Sequence, residues 1–143
     1  MIHPTDEQLL AGIAAALKDT VLAELARGSA ARKQLQATIE TLRRMAFAAP
    51  GRDAALAADN ADMVEVLRQV EDMLGRAATS FDDNDATEFN RALQQALADL
   101  QNNIPPELTA QITPLLTQLY ARMTDRALAL IPPPMPRTPG TPA

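Results

Sequence analysis

Asp82-Asp83-Asn84-Asp85 is the densest run of oxygen ligands in this sequence, and the chemistry it suggests is calcium binding. An EF-hand loop needs glycine at its sixth position and glutamate at its twelfth. Counted from Asp82 these positions hold Thr87 and Leu93, and counted from Asp83 they hold Glu88 and Gln94, so both registers fail. The run reads instead as a solvated turn whose last aspartate caps a helix. Acid pairs suited to proton transfer occur at Asp62 with Glu65 and at Glu71 with Asp72, but on helices such pairs ordinarily line a solvent face. One histidine, His3, cannot supply a Glu-x-x-His di-iron set, a zinc site with two histidines or a Ser-His-Asp relay. Without cysteine there is no thiol nucleophile and no disulfide, which suits a cytoplasmic protein. Five scattered glycines form no phosphate-binding loop. The sequence therefore nominates no catalytic residue, no cofactor and no metal.

Charge is the more informative pattern. From Arg27 to Arg52 there are six bases and one acid, whereas from Asp53 to Asp99 there are eleven acids and three bases. Eleven residues turn a helix through three turns and about 20°. Arg32 thus aligns with Arg43, and Lys33 with Arg44, giving two basic rails with Phe47 between them. Arg32, Lys33, Arg43, Arg44 and Phe47 are the candidate face for an anion or an acidic partner, with Phe47 as an apolar anchor. The competing reading lays this helix against the acidic half of the chain and tucks Phe47 under Pro50-Gly51. A net charge of −5 argues against nucleic acid as a partner.

Helices must position these residues. Four aromatics and four valines argue against a sheet, and abundant Ala, Leu, Gln, Glu and Arg favour helix. The fold class predicted is all-α: an up-down helical bundle of four to five helices spanning 1–131, followed by a flexible Pro-rich tail, 132–143. Its organising stripe is Leu108, Ile112, Leu115, Leu116, Leu119, Met123, Ala127 and Leu130. That last helix is expected to kink or break near Pro114, with Thr113 as a new cap. Thr5-Asp6-Glu7-Gln8 is a capping box opening helix one, which Gly28 ends. Ser29 caps helix two, whose buried face is Leu35, Thr38, Ile39, Leu42, Met45 and Ala46 and which Pro50-Gly51 should stop. Asp53 caps helix three, carrying Met63, Leu67, Val70 and Leu74, with Val66 and Met73 as a second apolar edge available for contact. Asp85 caps helix four. No apolar run approaches the length of a transmembrane span, and Met1-Ile2-His3-Pro4 does not read as a secretory leader.

Pro4-Thr5, Leu9-Leu10, Ile13, Leu17, Val21-Leu22 and Leu25, followed by the basic helix two, resemble a group of short, all-helical bacterial proteins of unassigned function. Members of that group are encoded beside acyl-CoA dehydrogenase-like and aminoglycoside-phosphotransferase-like enzymes. The resemblance covers roughly the first half and implies an accessory role near an enzyme, with no catalytic residue to carry over. The leading expectation is a non-enzymatic interaction protein that binds a protein partner or itself. The alternative is an amphipathic protein at a lipid or granule surface, and an enzyme built from carboxylates and arginines ranks third.

Overall fold

The computed structural model describes residues 3–134, and among them the chain is all-α with four main helices. Helix α1 is Asp6–Ala16, extended by a π-turn over Leu17–Val21 and a final turn, Leu22–Glu24. Helix α2 is Ala30–Met73, α3 is Ala86–Asn102, and α4 is Thr109–Ala129 behind a 3-10 turn at Pro106–Leu108. The helices distribute over two compact units: residues up to Pro50 with those from Ala129 onward, and Gly51–Leu128. That boundary falls inside the span expected as one domain. Of the Pro-rich tail, only Pro132–Pro134 lie within the described residues, and they are non-helical.

Several ends form as their local chemistry dictates. Gln8 N–H donates to Thr5 Oγ1 (3.3 Å) and Thr5 N–H to Gln8 Oε1 (3.1 Å), completing the capping box. Arg32 N–H donates to Ser29 Oγ at 3.1 Å, and Gly28 takes φ 79° in the turn before it. At the end of α2, Arg76 N–H reaches Glu71 O (2.9 Å) and Gly75 N–H reaches Asp72 O (3.1 Å) across a left-handed Gly75, a Schellman closure. Asp85 accepts from the Thr87 and Glu88 amides at 2.8 and 2.9 Å.

Two prolines lie inside helices. Helix α2 runs through Pro50-Gly51 as one 44-residue helix, so helices two and three are continuous and Asp53 caps nothing. Pro50 removes the bond to Ala46 and crowds its carbonyl, at about 3 kcal/mol. Seven alanines between 46 and 58, the strongest helix formers, carry the helix past it. Pro50 marks the boundary between the units rather than a helix end. Helix α4 likewise runs through Pro114 without a new start at Thr113. Ala110, whose carbonyl loses its donor, is exposed, so water can take that bond.

In the first unit α1 and the opening half of α2 form an antiparallel hairpin: Lys18 and Leu22 adjoin Gln36, Ile39 and Arg43, while Thr5, Asp6 and Glu7 adjoin Ala49 and Pro50. The π-turn resets the register of α1. Leu22 N–H bonds Leu17 O, five residues back, which inserts one residue into the helical repeat. Leu10, Ala14, Leu17, Leu22 and Leu25 therefore turn inward, and Leu9, Ile13 and Val21 remain 48%, 49% and 43% exposed. On α2 only Ile39 and Ala46 of the predicted face are buried; Leu35 and Leu42 are half-buried, and Thr38 and Met45 are exposed. Arg32 closes the hairpin, its guanidinium donating to Leu22 O and, at 3.0 Å, to Leu25 O. Arg32→Met keeps the aliphatic bulk but leaves those carbonyls without a donor. It should destabilise the chain by about 1–2 kcal/mol, read from urea unfolding followed by helical circular dichroism.

In the second unit three helices enclose one core: Met63, Val66, Leu67 and Val70 of α2, Leu93, Leu97 and Leu100 of α3, and Ile112, Leu116 and Leu119 of α4. The link from α2 to α3 departs from the up-down order predicted. Asn60 donates to Ala86 O (3.0 Å) and accepts from Asn90 (2.7 Å), so α3 begins beside Asn60 rather than beside Met73. The chain from Leu74 to Asp85 returns along α2, with Thr79 held by Glu71 and Phe81 beside Val64 and Leu67. Extended, it spans the roughly 21 Å of helix from Leu74 back to Asn60 with length to spare. Helices α2 and α3 consequently run in the same direction, and α4 runs back against both. Phe81 folds onto the core, its ring 6.2 Å from that of Phe89.

Candidate functional site

The two basic rails do not survive as one surface. Arg32 is half-buried and committed to the carbonyls of Leu22 and Leu25, which removes it from any binding face. Arg44 pairs with Glu40 at 3.2 Å, an exposed i,i+4 pair of small energetic weight. Lys33 and Arg43 are exposed and have no ion pair among the described residues. Phe47 is 48% exposed, and since α2 continues past it there is no Pro50-Gly51 turn to shelter it.

Arg43, Arg44 and Phe47 do share one feature. With Glu40, Ile131 and Pro132–Pro134 they line a groove of about 840 Å³ within the first unit. Its walls are chiefly hydrocarbon, with Phe47, Ile131 and three prolines, and Glu40, Arg43 and Arg44 complete its lining. Arg43 also borders a smaller hollow, about 250 Å³, with Lys18, Leu22, Gln36 and Ile39 beside the π-turn. The proposed second apolar edge divides. Val66 is 4% exposed and belongs to the core, so it is not a contact surface, whereas Met73 is 40% exposed. Val66 lies inward because it faces α3 and α4 together with Leu67 and Val70.

The polar cluster that the periodicity did not single out lies at the Asn60 end of the second unit. Arg126 donates to both Asp59 and Asp62, and Arg122 Nε donates to Asp62 Oδ2 at 3.1 Å. Hydrogen bonding from Arg126, followed by that from Arg122, outweighs burial and holds the Asp62 carboxyl below its usual range. Hydrogen bonding to Asp62, then to Asp59, raises the pKa of Arg126. Asn60, 5% exposed, is satisfied by Ala86 O and the Asn90 amide, and Asn90 accepts in turn from Gln94 at 2.6 Å. A signal for this layer existed: Asn60, Asn90 and Arg126 stand three residues from Met63, Leu93 and Met123, at core spacing.

The chemistry open to these groups is limited by their partners. Asp62 faces two arginines that hold its carboxyl below its usual range, which opposes the raised pKa a general acid requires, and Asp59 is committed to Arg126. Glu71 is occupied by the Thr79 amide, at 3.1 Å, and by the Thr79 hydroxyl. In the Asp82–Asp85 run, Asp82 accepts from Asn84 and Asp85 is taken up by the α3 cap. Among the described residues no three His, Cys, Asp or Glu side chains converge as a metal set, and no helix is long and apolar enough to cross a membrane. No protein family, curated protein or solved structure matches this chain.

Proposed function

We propose that this chain is a helical interaction protein whose first unit docks on another protein surface, a second copy being the partner to test first. The observation that carries the reading is the outward apolar edge of α1, Leu9, Ile13 and Val21. An apolar edge repeated along a helix and left facing water is the ordinary mark of a contact surface. The second unit, by contrast, gathers the inward stripes of three helices into one core and pairs Arg126 with Asp59 and Asp62. The resemblance of the first half to proteins encoded beside enzymes is in keeping with an accessory role.

The amphipathic lipid-surface reading has one observation in its favour: Lys18 stands on the helix that carries this edge. It ranks second because Asp6, Glu7, Asp19 and Glu24 make that helix acidic, which opposes anionic headgroups. Light scattering coupled to size exclusion, over micromolar concentrations, tests the leading reading. Wild type should give a mass above that of one chain, and Ile13→Glu should return it to one chain with helicity unchanged. A monomer throughout, or an assembly indifferent to Ile13→Glu, contradicts it. Flotation with anionic vesicles that Ile13→Glu abolishes would favour the lipid surface instead.

A further inference from the structure

We infer that the Arg43–Phe47 groove is a second docking site, one that takes a short acidic-hydrophobic segment of another protein. The inference deepens the interaction reading, on which it rests, but uses a surface separate from the α1 edge. Three features of the groove specify its occupant. Phe47, Ile131 and Pro132–Pro134 offer apolar walls, so the segment must carry large aliphatic or aromatic side chains. Glu40 is engaged by Arg44, which leaves Arg43 without an ion pair among the described residues and calls for a carboxylate beside those side chains. The groove is concave and about 840 Å³, the space of a few residues rather than a flat lipid surface.

Two further properties favour such a site. Three consecutive prolines have φ fixed by their rings, so one wall loses little conformational freedom when the groove fills. The chain carries a net charge of −5, so an acidic segment is repelled by most of the sequence and drawn to the stretch from Arg27 to Arg52, where bases outnumber acids six to one. Mixed charge thus gives the groove selectivity of position as well as affinity.

The test uses the full chain and a fluorescent peptide of alternating Leu-Phe and Glu-Glu pairs, with Gln-for-Glu and Lys-for-Glu counterparts, read by anisotropy. The acidic peptide should bind at least about tenfold more tightly than the Gln peptide, lose that margin in high salt, and leave the Lys peptide unbound. Arg43→Gln should remove the acid preference, and Phe47→Ser should weaken both the Glu and Gln peptides. Equal binding of Glu and Gln peptides by wild type, or no binding by any, overturns the inference without relying on a variant's folding. Arg43-dependent binding to anionic vesicles in place of peptide also overturns it. If the peptides fail while Ile13→Glu still dissolves the assembly, only the groove is wrong; if the assembly is absent but peptides bind as stated, the α1 edge is wrong.

Discussion

Leu119→Ala is expected to lower the unfolding free energy by about 3 kcal/mol, whereas Ile13→Ala should change that of the isolated chain by less than about 0.5 kcal/mol. Both substitutions trim a branched aliphatic side chain to a methyl. Leu119 is completely buried, among Ile112 and Leu116 of its own helix and the stripes of α2 and α3, so its removal leaves a cavity as well as lost transfer energy. Ile13 is 49% exposed and leaves no cavity. Urea unfolding at dilute concentration, followed by circular dichroism, separates the two. Comparable losses would mean that α1 is as tightly packed as α4 and that its apolar edge is not free.

The second large effect concerns Arg126. Replacing it with methionine removes the donors to Asp59 and Asp62 and leaves two carboxylates on α2 with only Arg122 nearby. Breaking a buried pair by deleting one partner costs about 3–5 kcal/mol; with these side chains about a quarter exposed, a loss of about 2 kcal/mol at neutral pH is expected. The pH dependence carries a matching sign. Asp62 binds its proton less readily folded than unfolded. Its contribution is therefore complete above the ordinary aspartate value of about 4 and is lost as pH falls through the lower folded value. Wild type should lose stability along that acid limb, and Arg126→Met should flatten it. An acid limb of unchanged steepness in Arg126→Met would show that the stabilising partner of Asp62 is not Arg126.

What could be read from the sequence, and what could not, divides by range. The Thr5–Gln8 box and the Ser29 and Asp85 caps depend on neighbours a few residues away, and each formed as expected; helix one instead ends at Glu24 on an extended Leu25, and the left-handed Gly28 sits in the turn beyond it. The stripe from Leu108 to Met123 also faces inward as its spacing requires. Pro50 was misleading as a helix end because a proline's local cost is outweighed when the flanking residues favour helix; Pro114 starts no new helix at Thr113. The return of the chain from Leu74 to Asp85 depends on where α3 finds its partners, Asn60 above all, and no local pattern encodes it. Of the candidate face, Arg43, Arg44 and Phe47 came together. Arg32 was diverted because two helix-end carbonyls lay within its reach, a contact that needs the hairpin in three dimensions.

Hydrogen–deuterium exchange of the wild-type chain at dilute and at high concentration tests the central division most directly. Amides from Asp6 to Glu24 should gain protection as concentration rises, because assembly covers the outward edge of α1. Those around Met63–Val70 and Leu93–Leu100 should be protected equally at both concentrations. Protection that is independent of concentration along α1, or that rises instead across the enclosed three-helix core, would contradict it.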